Sequence, residues 1–189
     1  VAHDHSDANP HIWVSISNCM KQVRNIADGL IEADPEDAVA LEENTQEYLA
    51  KLSDLRGRMH EALDDLPNRD IITFHEAFPY FAEEFGLEIV KVVNREPDSQ
   101  PSARELAETI RLVEDAGVTD TIRLIESTDV KAVFAEPQYS TDAAQIIAQE
   151  SGATVYLLDP AVTGENDKDA YLRAMEQNME VLKEALGGA

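Results

Sequence analysis

The stretch from Asp70 to Leu87, DIITFHEAFPYFAEEFGL, changes periodicity at a single histidine, and no other segment limits the fold as tightly. Ile71, Ile72, Thr73 and Phe74 form a short β-branched and aromatic run of the kind that makes a buried strand. Beyond His75, the apolar residues Ala77, Phe78, Phe81 and Phe85 recur at a spacing that predicts a helix over Glu76 to Glu84 with one buried face. His75 then sits on a strand-to-helix turn. In open α/β sheets such a position, at the carboxyl end of a strand, borders the crevice that binds ligands.

Two further strand candidates end on a carboxylate. Val130 to Ala135 runs into Glu136-Pro137, and Ala153 to Leu158 runs into Asp159-Pro160. Leu87 to Val93 supplies another strand, and helical spacing separates them all: Ser102 to Glu105 reads as a capping box, Thr119 to Glu126 as a resumed helix, Thr141 to Glu150 as a helix stopped by Gly152, and Asp167 to Leu186 as the last helix. Right-handed crossovers between parallel strands predict an α/β fold, a doubly wound four-stranded parallel sheet in the order 2-1-3-4. His75 and Glu136 then end adjacent strands, with Asp159 one strand further, about 10 Å across the sheet at ~4.8 Å per strand. Histidine with carboxylates is a metal-ligand set, and one ion spanning this rim is the expectation.

Upstream, Val1 to Ala8 (VAHDHSDA) reads as a polar loop in which His3 and His5 would add auxiliary metal affinity. Asn9-Pro10 favours a turn that presents His11 at the head of a helix beginning near Ser15, and His11 is the candidate for a further ligand. Asp34-Pro35-Glu36-Asp37 reads as a second helix start, with Asp34 as the capping acid and Pro35 in the first turn. From Leu41 to Leu63 the apolar spacing continues, giving a long N-terminal strut helix of roughly thirty residues, ~45 Å at 1.5 Å per residue. The chain opens Val-Ala-His without an initiator methionine, as a piece of something longer would.

Composition removes several functional classes. A net charge of −23, from 38 acidic against 15 basic residues, argues against partners that need basic patches, nucleic acid and anionic membranes among them. No apolar run is long enough for a membrane span. Neither GxGxxG nor GxxxxGK[ST] occurs, so no phosphate cradle is expected. Cys19 is the single cysteine, lies on a helical pattern, and reads as a small packed residue. A metal-dependent hydrolase on the same sheet is the alternative from another class; Glu76 or Glu136 would serve as its general base.

The motifs NPHIWVS, TFHEAFPYFAEEFGL, EPQ and the late LDP occur in that order over nearly the whole chain. Together they resemble the zinc- and manganese-binding solute-binding proteins of bacterial ABC transporters, of the zinc-uptake type. The resemblance implies that His11, His75 and Asp159 are metal ligands and that Glu136 supports the cleft. It implies no catalysis, an ion cargo of Zn²⁺ ahead of Mn²⁺, delivery to an ABC permease, and a place outside the cytoplasm, in the bacterial periplasm or lipid-anchored at the cell surface. Some relatives have been viewed as adhesins, which leaves a surface interaction module as a further reading. Residues 1–33 would be a remnant of an N-terminal lobe, 34–66 the interlobe helix, and 67–189 the C-terminal lobe of a two-lobed receptor. Three departures stand out: Asn9 replaces the usual Asp near His11, the region from Pro101 to Val133 is longer than usual, and most of the N-terminal lobe is missing.

Overall fold

Ser15 starts the first helix, α1 (Ile16–Ala33), its hydroxyl accepting a hydrogen bond from the Asn18 amide as an N-cap should. The next helix, α2 (Ala38–Leu63), is preceded by a 3-10 turn over Pro35–Asp37. Asp34 makes no side-chain cap, so the regular helix starts later than its sequence signature suggested and spans 26 residues, ~39 Å. Its buried stripe of Thr45, Leu52, Leu55, Met59 and Leu63 packs between α1 and the last helix. In this computed structural model the described residues are 9–93, 102–104, 107–108, 110–111, 132–137 and 142–187.

The sheet follows. Strands β1 (Asp70–Thr73), β2 (Glu88–Val92), β3 (Ala132–Ala135) and β4 (Thr154–Leu157) are all parallel, in the order β2-β1-β3-β4. That is the predicted order, and burial agrees with it: β1 and β3 are buried on both faces, whereas the edge strands β2 and β4 are partly exposed. Side chains alternate between two cores. Ile71, Ala132 and Phe134 join the large core beneath α2 and α5 (Ala170–Leu186), while Ile72 and Val133 join a smaller one with Ile147 of α4 (Asp142–Ser151).

The helix after β1 is shorter than expected, α3 (Pro79–Phe85). Proline favours the first helical position and disfavours helical backbone in the residue before it, so Phe78 becomes the N-cap. Glu76, Ala77 and Phe78 therefore belong to the turn, where Ala77 and Phe78 are nevertheless buried. Helix α3 ends at Gly86, whose φ of 65° suits glycine, and Arg69 donates to the carbonyls of Phe85 and Gly86 that the helix leaves free.

One carboxylate ties three helices together. Glu84 of α3 accepts from the hydroxyls of Ser15 and Ser17, from the Ser17 amide, and from Arg56 of α2. Burial alone would raise its pKa, but these donors hold it below the ordinary glutamate value. The last helix also starts later than its spacing suggested, at Ala170, whereas the predicted start of the third strand at Val130 lies outside the described residues. The segment Thr119 to Glu126 lies outside the described residues, as do His3 and His5. Among the described residues no helix is long and apolar enough to cross a membrane.

Candidate metal centre

The rim of the sheet is built as the topology requires. His75 follows β1, Glu136 follows β3 and Asp159 follows β4, all at carboxyl ends of parallel strands. Glu136 is buried, 1% exposed, directly beyond the last residue of its strand. His11 arrives from the other direction, on the turn before a 3-10 helix (Ile12–Val14) that leads into α1.

His11 and His75, far apart in sequence, meet through their Nε2 atoms at 3.2 Å, with the rings edge to face. Asn9 fixes the first of these rings. Its Oδ1 accepts from the His11 amide at 2.9 Å and stands 3.0 Å from His11 Nδ1, so that oxygen is an acceptor and Nδ1 carries the proton. The tautomer that results leaves the His11 Nε2 lone pair facing His75. Asn9 Nδ2 meanwhile donates to the carbonyl of Glu76, the residue after His75. One amide thus ties both imidazole-bearing turns together, and its donor half is something an aspartate at this position would lack. Burial first, and then the neighbouring His75, lower the His11 pKa, which keeps the ring neutral near neutral pH.

Asp159 stands on a neighbouring turn with different contacts. Its Oδ1 accepts from the Ala161 amide at 2.8 Å, and it borders a cavity of about 620 Å³ between the loop after β4 and α5. Among the described residues no three His, Cys, Asp or Glu side chains converge on one point: the structure brings the two histidines together and leaves Asp159 on a separate turn. The two turns are bonded to each other. Trp13 Nε1 donates to the Pro160 carbonyl at 2.8 Å, and the Tyr171 hydroxyl donates to the Trp13 carbonyl at 2.7 Å.

The sequence reading passed over Trp13, Tyr171 and Asn178. Asn178 had a visible signal: it interrupts the apolar stripe Met175, Met179, Leu182 and Leu186 of α5, and a polar residue on such a stripe needs a buried partner. Trp13 lay inside the NPHIW motif, but its partner Pro160 is separated from it by most of the chain. Cys19 is buried with its thiol pKa pushed up, which suits packing rather than nucleophilic chemistry.

Two imidazoles that meet at the mouth of a parallel sheet, with a carboxylate on a neighbouring turn, are the donor types of a solute-binding lobe of the metal-binding class. The comparisons agree. The family profile described as zinc-uptake complex component A, periplasmic (ZnuA), matches residues 1–120 and 113–185. The high-affinity zinc uptake system protein ZnuA of Bacillus subtilis (strain 168) is 33% identical over 183 residues, 94% of this chain and 53% of that protein. A crystal structure of ZnuA superposes with a TM-score of 0.77 at 31% identity, covering 95% of this chain and 60% of that one. The solute-binding protein FpvC from Pseudomonas aeruginosa, in complex with Mn²⁺, superposes with a TM-score of 0.78 at 30% identity, covering 94% and 63%. The chain belongs to the ZnuA family of zinc-uptake solute-binding proteins. That is a family of binding components and not of enzymes, which sets the hydrolase reading aside. The chain spans about half the length of its Bacillus relative.

Proposed function

We propose that this chain is the metal-facing part of an extracytoplasmic receptor that captures a divalent transition metal, Zn²⁺ before Mn²⁺, and delivers it to an ABC permease. The observation that carries the proposal is the 3.2 Å separation of the two Nε2 atoms. Two nitrogens each about 2.0–2.1 Å from a tetrahedral Zn²⁺ stand about 3.3 Å apart, so the pair already has the spacing of one edge of a zinc coordination shell. His11 and His75 would be the nitrogen ligands and Asp159 the oxygen ligand, with Asn9 and Glu136 supporting them. Mn²⁺ favours oxygen-rich sets, so an imidazole pair ranks zinc first.

Three protein ligands leave a tetrahedral ion one position short. In this reading residues 1–33 belong with an N-terminal lobe, 34–66 form the link and 67–189 the C-terminal lobe, and the intact receptor clamps the ion between lobes. Ile26, Leu30 and Val39, exposed near the free end of the α1–α2 pair, supply an apolar surface against which such a lobe would pack. The family description as periplasmic, and the relative's name as part of an uptake system, support the place and the permease partner.

Calorimetric titration tests the reading. Zn²⁺ should bind the chain at one site and more tightly than Mn²⁺, and His75→Ala should weaken zinc binding at least ~10-fold. Equal zinc affinity in parent and variant would remove His75 from the site.

A further inference from the structure

Resting on the site reading above, we propose that Asn178 is the positioning residue that sets where Asp159 stands relative to the histidine pair. Asn178 lies on α5, is 1% exposed, and grips the backbone of Asp159 from both sides. Its Oδ1 accepts from the Asp159 amide at 2.8 Å, and its Nδ2 donates to the Asp159 carbonyl at 2.7 Å. Such a paired bond between a side-chain amide and a single residue's backbone fixes both translation and rotation of that residue.

The turn it holds is one that the chain would not adopt unaided. Two residues on, Ala161 has a φ of 55°, the left-handed region that a residue with a Cβ adopts only at a cost. Asp159 Oδ1 meets the Ala161 amide across this turn, and the intervening Pro160 carbonyl takes the Trp13 indole. Asn178 therefore anchors the start of a strained turn whose middle is bonded to the segment bearing His11. Remove that anchor and the turn relaxes towards ordinary backbone, carrying the carboxylate with it. Asn178 touches no ion itself; its effect on metal binding runs through the placement of Asp159.

The test compares variants of equal helix but different contact. Asn178→Leu keeps the volume and removes both bonds; Asn178→Asp keeps an acceptor for the Asp159 amide and loses the donor. Leu182→Ala, also on α5 and fully buried, is the control for general loss of packing. Thermal unfolding, emission from Trp13 (the single tryptophan) without metal, Zn²⁺ affinity, and the visible spectrum of bound Co²⁺ are measured on each. Expected are a shifted Trp13 emission, a changed Co²⁺ spectrum and zinc affinity lower by about 10–100-fold in Asn178→Leu, as for other residues that orient metal ligands. Leu182→Ala should lower the melting temperature yet keep the parent's emission, spectrum and affinity. If Asn178→Leu does not fold, the same shifts in Asn178→Asp decide. The proposal is overturned if the folded Asn178 variant keeps the parent spectrum and affinity, or if Leu182→Ala changes them as much. A parent chain that binds neither Zn²⁺ nor Co²⁺ refutes the site reading itself, and Asn178 then has no ligand to position.

Discussion

A single amide group at Asn9 decides how two imidazoles face each other. Its oxygen selects the His11 tautomer with a bare Nε2, and its nitrogen holds the turn that carries His75. Replacement by leucine should leave the core intact, since the side chain is only half-buried at the surface of the turn. It should weaken zinc binding by about 10–100-fold, the range seen when a ligand imidazole loses its hydrogen-bond partner. Titration calorimetry checks this, and an unchanged affinity would leave Asn9 without the orienting role. The sequence marked Asn9 only as a departure from the usual Asp; the geometry gives the residue a donor function that only an amide can fill. That distinction could not be read from spacing, because it depends on the carbonyl of Glu76 coming within reach from a different element.

At the scale of elements, the same limit recurs. Strand order, the turn position of His75 and the acidic ends of β3 and β4 were legible because short, continuous apolar runs alternate with period-3.6 stretches along the chain. The start of α3 was misread, since Ala77 and Phe78 keep a helical spacing while Pro79 forces the first turn to follow them. Glu84 was invisible as a structural centre, because an acid off the apolar stripe of a helix carries no sequence mark of three helices converging on it. Its removal is a sharp test of that convergence. Glu84→Ala takes the acceptor from the Ser15 and Ser17 donors and returns the exposed Arg56 to water, and should cost about 3 kcal/mol, measured by urea unfolding. The pH dependence follows from the lowered folded pKa. The clasp's contribution is complete above the carboxyl's ordinary value in the unfolded chain and is lost as pH falls through the lower folded value. The gap in stability between parent and Glu84→Gln should therefore shrink on acidification; a gap that widened in acid would contradict the clasp.

For the molecule as a whole, the net charge acts in two directions. With 38 acidic residues against 15 basic ones, the folded chain repels itself, although the same field attracts a divalent cation. Raising NaCl from ~0.01 M to ~1 M shortens the Debye length from about 30 Å to about 3 Å, so the melting temperature of the metal-free chain should rise. A fall would mean that ion pairs such as Arg24 with Glu42, and not net repulsion, dominate the balance. The whole assignment turns on one ion sitting between His11 and His75 with Asp159 completing the set. Anomalous diffraction at the zinc edge, from crystals of the chain grown with Zn²⁺, locates that ion without reference to affinity or sequence. The expected result is a peak about 2.0–2.1 Å from Nε2 of both histidines and about 2.0–2.2 Å from an Asp159 oxygen; a peak elsewhere, with no density between the two Nε2 atoms, would contradict it.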